Sequence, residues 1–286
     1  MRKTTAILAA LTGIVLLAGA AWGQNAPRPK SQKELDGLKA IDASPSIDVK
    51  LQKIDDFLAA FADSDYRLIL LDTAVGMTAD KNDYPLAMAW GQRDLDVNPN
   101  SYIAMLSLAT VTAANTKEFD LDKDQKLAQA DKWANGALDA LKTAPRPFHI
   151  PEEKWPDAKK FYQSSCHQAL GLIAMARKKF DAAAAEFQTA FDILPEANYM
   201  VRVGDANVKA GKYDNAIAAF NKVLAMPGLT PVVKQITENK KRDALRRKGV
   251  AAPVAPAPPA PAAVPPPPPA AAPPADTPPE KVPTQK

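Results

Sequence analysis

The chain of 286 residues has a single cysteine, Cys166, so no intramolecular disulfide can form even in an oxidising compartment. Histidine is almost as rare. His149 and His167 stand alone, and neither has a second histidine four residues away on a helix, which excludes the commonest helical zinc-site spacing. Glycine is sparse at 12, with no glycine-rich loop to cradle a phosphate and no Gly-x-Ser-x-Gly elbow. The sequence by itself establishes no paired-carboxylate arrangement. These absences leave no convergent acid, base or nucleophile on which to build a reaction, so the expectation is a protein without metal or cofactor that is not an enzyme. Strand patterning is missing too: no stretch alternates apolar and polar residues with period 2.

The charge balance excludes less. Lys and Arg number 36 against 32 Asp and Glu, a net +4, far from the concentrated positive field of a nucleic-acid binder. No nucleic-acid partner is expected.

Three compositional zones are present. Residues 1–23 read as a secretory signal: Arg2 and Lys3 precede an apolar run from Ala6 to Ala18, and Ala21-Trp22-Gly23 offers small residues for cleavage after Gly23. The run is shorter than the roughly 20 residues a membrane span requires. No cysteine follows it, so a lipoprotein signal is not supported. The expected destination is the periplasm or the exterior. Residues 250–286 are rich in Ala and Pro, with five consecutive prolines from Pro265 to Pro269. Such a segment cannot build a core and is expected to be a disordered, extended tail that could reach on the order of 110 Å at about 3.1 Å per residue. Only the middle, roughly 200 residues rich in Ala, Leu, Lys, Asp and Gln, has the composition and length to fold, and that composition favours helix.

An internal repeat sets its architecture. Lys179-Phe180-Asp181-Ala182-Ala183, running on through Phe187 and Ala190 to Pro195, matches Lys212-Tyr213-Asp214-Asn215-Ala216, running on through Phe220 and Val223 to Pro227. Ala183 and Ala216 stand 33 residues apart, close to the period of about 34 typical of helix-turn-helix repeats. Leu170-Gly171 and Val203-Gly204 precede the two segments at matching places. With these residues the chain resembles a tetratricopeptide repeat (TPR) protein. His167 and Ala174 stand where that family has larger side chains.

The resemblance implies an all-α fold: a right-handed superhelix of antiparallel helix pairs across 46–230, with the best repeats at 164–196 and 197–228. Gly171 and Ala183 are expected to let paired helices approach, and Phe187 and Phe220 to fill the gap to the following repeat. Upstream the pattern is looser. Asn82 to Pro99 repeats turn, aromatic, alanine and proline, with Gly91 in the place of the second aromatic and a first helix expected from Asp65 to Thr78. A third pair is expected over Ser101 to Asn115 and Asp124 to Lys142. Ser46 to Ala62 reads as an amphipathic helix, with Ile47, Leu51, Ile54, Leu58 and Phe61 on one face. Ser31 with Glu34 forms a capping box that opens a short helix within 24–45. Residues 231–249 read as a basic helix closing the stack.

What the resemblance implies for binding is a concave groove lined by the first helix of each repeat and occupied by a protein or peptide. The positions carried over are Ser165, Gln168, Leu172 and Met175, then Asn198, Val201, Arg202, Asp205 and Lys209. Some members of the family clamp a C-terminal carboxylate with Lys and Asn. Here only Arg202 fits that pattern, because Gln168, Leu172 and Asn198 fill the other places, so the clamp is not expected. The basic run over 240–248 complements a helix C-terminus and could also meet an anionic membrane or an envelope polymer. Two functions are therefore carried forward: an exported scaffold or adaptor acting in cell-envelope assembly, and a structural tether that uses the basic helix and the tail. Cys166 and Trp90, Trp133 and Trp155 read as packing residues. Asp120, Asp122 and Asp124 alternate as in a calcium loop, but Gln125 and Asp131 replace the glycine and glutamate that loop needs, so Asp122 or Asp124 reads as a helix cap.

Overall fold

The computed structural model describes residues 27–249, so the expected leader at 1–23 and the tail at 250–286 lie outside the described residues. Eleven α-helices follow one another: α1 Gln32–Asp42, α2 Ile47–Ala60, α3 Arg67–Asp80, α4 Tyr84–Val97, α5 Tyr102–Asn115, α6 Lys123–Thr143, α7 Trp155–Ala176, α8 Phe180–Ile193, α9 Ala197–Lys209, α10 Tyr213–Leu224 and α11 Pro231–Arg247. A short 3-10 turn, Glu152–Lys154, leads into α7. There is no strand among the described residues.

Local chemistry starts these helices where the sequence places them. Ser31 Oγ accepts from Glu34 N at 3.1 Å, Ser46 Oγ from Val49 N at 3.3 Å, and Ser101 Oγ from Ala104 N at 3.1 Å. Each bond satisfies one amide that the helix leaves unpaired. Glu34 reaches back one residue further than a capping box requires, to Lys30 N at 2.5 Å, and its other oxygen accepts the buried hydroxyl of Ser64. At Asp122 the expected cap is absent: the residue holds the N-cap position of α6, but its carboxylate pairs with Lys126 at 2.9 Å instead. The first helix of three pairs ends alike. Asp83 N, Lys179 N and Lys212 N donate to Thr78 O, Ala174 O and Asn207 O, with Asn82, Lys178 and Gly211 at φ of 53°, 59° and 74°. That is one Schellman turn used three times, between α3 and α4, α7 and α8, and α9 and α10.

Each helix packs on its neighbour in sequence, and the first helices of successive pairs also touch, α3 on α5 and α5 on α7. The buried side chains accordingly form a series of clusters along the chain. Leu38, Ile54, Phe57 and Leu70 lie at the front, Leu141, Tyr162 and Cys166 in the middle, and Phe187, Met200 and Val223 at the back. α11 closes the series by burying Ala244 against Ala216 and Phe220, which shields an end that would otherwise face water.

The two well-matched repeats share one packing device. A Cβ at Gly171 would collide with the ring of Phe187, and one at Gly204 with the ring of Phe220. Each aromatic thus sits over the glycine of its own pair, and the glycine makes room for the ring. Phe187 also faces the next repeat, where the Arg202 guanidinium lies 5.7 Å from its centroid. Earlier in the chain the device changes hands. Gly91 of α4 receives Leu108 of the following pair, whose Cδ2 would lie 2.6 Å from a Cβ there, and Gly136 of α6 receives the Met105 sulfur of its own pair at 2.8 Å.

Candidate functional site

A cleft of about 810 Å³ opens where three helices and one loop meet. α3 supplies Leu68, Ile69, Asp72 and Thr73, the start of α5 supplies Ser101, Tyr102, Ile103 and Met105, and the end of α6 supplies Gly136, Asp139, Ala140 and Thr143. The far wall is the connection Ala144 to His149. Pro145 and Pro147 keep this segment from continuing the helix. Its shape is held by Arg146 Nη1, which donates to Ile150 O at 2.5 Å, and by the edge-on contact of Phe148 with His149 at 5.4 Å.

Two carboxyls meet at this cleft. Ser101 Oγ lies 3.0 Å from Asp72 Oδ1 and 3.1 Å from Asp94 Oδ2, and the two acids are close enough to hydrogen-bond to each other. Asp72 lines the cleft, whereas Asp94 of α4 is fully buried behind it, its Oδ1 without a donor among the described residues. One hydroxyl proton cannot serve two carboxylates, and Ser101 Oγ already accepts from Ala104 N. The contacts close only if one of the acids keeps its proton. Burial and the neighbouring acid push Asp72 well above the usual carboxylate range, and burial raises Asp94 as well. Tyr102 and Tyr162, in edge contact at 5.0 Å, are raised too: both by burial first, then Tyr102 by Tyr162 and Asp72 and Tyr162 by Asp72. Burial lowers His149, so it is neutral at pH 7.

None of the groove residues carried over from the resemblance lines this cleft. They lie on α7 and α9. Asn198 and Lys209 are exposed, while Gln168, Leu172, Met175, Val201, Arg202 and Asp205 are half-buried. Leu172, Met175 and Val201 pack their inner sides on the rear core cluster. Ser165 Oγ donates to Phe161 O at 2.8 Å. Asp205 is committed elsewhere, since both its oxygens accept from Lys240 of α11 at 2.7 and 2.9 Å. Desolvation draws the Arg202 guanidinium below its ordinary value.

Several other sequence candidates have structural partners. Cys166 is wholly buried, and burial pushes its thiol up to about 12. His167 Nδ1 lies 2.8 Å from Glu186 Oε2 across the α7–α8 pair. Asp120 accepts from Lys117 N and pairs with Lys126. Trp90 is buried under Arg93, and Trp133 and Trp155 pack on the middle cluster. In the basic run, Lys240 pairs with Asp205, Arg246 and Arg247 with Asp243, and Lys248 with Asp214. Among the described residues, no three His, Cys, Asp or Glu side chains are grouped to hold a metal ion, and no helix is long and apolar enough to cross a membrane.

The acid pair is what sequence reasoning missed. Asp72, Asp94 and Ser101 lie on three helices, and no local spacing links them. The only signal was Ser101 itself, where a helix was expected to begin.

No protein-family model matches the chain, and no curated protein matches it. Its fold does match that of a thermophilic TPR protein from Thermus thermophilus, with a TM-score of 0.52 at 15% identity over 72% of this chain and 98% of that one. Together with the repeated helix pairs, the shared turn and the glycine-aromatic packing, this likeness establishes the fold as that of TPR-like helical repeats.

Proposed function

We propose that this protein is an exported scaffold that holds a protein partner on the inner face of its repeats, in the service of cell-envelope assembly. The observation that carries the reading is the mixed character of the positions on α7 and α9. Asn198 and Lys209 are exposed, and Gln168, Arg202, Leu172, Met175 and Val201 are half-buried, a mixture of apolar anchor and polar rim suited to a helix or an extended peptide. Export rests on the leader-like start of the sequence, and a fold of this kind supplies binding surface. Capture from an envelope extract by the wild-type chain, set against an Arg202→Glu/Lys209→Glu variant with an unchanged helical spectrum, is the test. Loss of the captured partner in the variant supports the groove, and equal capture overturns it.

The alternative, a tether acting through its basic closing helix, has less to draw on. Lys240, Arg246, Arg247 and Lys248 are ion-paired within the fold, which leaves Lys241 and Arg242 as the cations of that run without a protein partner among the described residues.

A further inference from the structure

None of the groove positions on α7 and α9 lines the cleft between α3, α5 and α6. Its volume of about 810 Å³ lies in the range of roughly 300–1,000 Å³ found for small-molecule sites. Its walls combine aliphatic and aromatic side chains with polar ones, among them Asp72 and Ser101, which Asp94 backs from behind. We propose that this cleft binds a small organic cation, a primary alkylammonium whose charged head sits against Asp72 and Ser101 and whose hydrocarbon stem lies along Ile69, Tyr102, Met105 and Phe148.

The first argument is charge complementarity. Half-buried Asp72 and fully buried Asp94 meet where the protein supplies too few donors: one hydroxyl serves both carboxyls, and Asp94 Oδ1 has no donor among the described residues. A proton on the pair relieves that shortage in the free protein. An ammonium on the cleft side relieves it differently, because it brings three N–H donors and a full charge to Asp72 and leaves the Ser101 hydroxyl to Asp94. The second argument is shape. The acids lie at one wall and aliphatic and aromatic surface leads away from them, as a head with an apolar stem requires, and the faces of Tyr102 and Phe148 are surfaces a cation tolerates. The other titratable groups facing the site are few: Tyr66, Tyr102 and Tyr162 carry no charge at pH 7, His149 is neutral, Asp139 pairs with Lys142 at 2.6 Å, and Arg146 is held to Ile150 O.

The experiment is calorimetry on the full chain with n-hexylamine, with n-hexanol as the uncharged analogue and a lysine-containing peptide as a separate arm. Expected are one-to-one binding of hexylamine, at least tenfold weaker binding of hexanol, at least a tenfold loss with Asp72→Asn or Asp94→Asn, and no loss with Asp139→Asn. Both carboxamide variants keep the shape of the site, and a helical spectrum confirms their fold. No binding of hexylamine at millimolar concentration overturns the proposal. So does equal binding of hexanol, equal binding by Asp72→Asn, or binding of the peptide without binding of the free amine, which would make the occupant a protein segment.

Discussion

The ring of Phe187 lies where a side chain on Gly171 would have to go, and Phe220 stands in the same relation to Gly204. Glycine inside a helix normally weakens it by roughly 1 kcal/mol relative to alanine. Here the lost propensity is offset by a large aromatic, fully buried, that joins the two helices of a pair.

A contrast between glycines checks this. Gly171→Ala is expected to lower stability by about 1 kcal/mol or more, because forcing a methyl against a packed ring typically costs about 1–3 kcal/mol and outweighs the propensity gain. Gly76→Ala is expected to raise stability, by up to about 1 kcal/mol, because a Cβ there meets nothing within 4 Å. Urea unfolding of both variants and of Gly171→Ala/Phe187→Leu decides the matter. The double variant should lose less than the sum of its parts if the two residues form one device.

That device also explains how much of the fold was legible. α7 to α10 repeat Gly, Ala and Phe at one constant spacing, with a proline after each pair, so the period could be read. The earlier pairs use the same physics with other residues: Gly91 stands where an aromatic was expected because Leu108 arrives from the next pair, and Met105 fills the space over Gly136. The first helix of that region begins at Arg67 rather than Asp65. The Ser64 hydroxyl, a natural cap, is used instead by Glu34 and by Tyr66 N at 3.1 Å. α11 starts on a strong local signal, Thr230 at its N-cap and Pro231 in its first turn. The cleft could not be read, since its wall at 144–149 is a proline-rich connection in sequence and a side of a cavity only once α3 and α5 stand beside it.

Cys166 offers a probe of that packing. Its thiol is buried and held up to about 12, so at pH 8 almost no thiolate forms and none of it is accessible. The folded chain is expected not to react with an aromatic disulfide reagent at this pH over an hour, and one thiol per chain should react once urea unfolds it. Rapid labelling of the native protein would place Cys166 outside the core.

The last prediction concerns pH. An acid whose folded pKa lies above its unfolded value binds its proton more tightly when folded, so stability tied to that proton is complete below the unfolded pKa of about 4 and declines as pH rises through the folded value. Asp72 and Asp94 are both raised, and their two carboxylates compete for the single Ser101 hydroxyl proton. Above their folded values the protein must either hold two adjacent buried charges or open the site. Asp72→Asn removes one charge and brings an N–H donor beside Asp94, so the variant is expected to exceed the wild type in stability at pH 8 by on the order of 1 kcal/mol. At pH 4 the difference should shrink or reverse. Urea unfolding of both proteins at half-unit steps from pH 4 to pH 8 measures the slope directly. A slope unchanged by the substitution would mean that Asp72 and Asp94 do not share a proton in the folded chain, and that the donor shortage at Asp94 Oδ1 is met in another way.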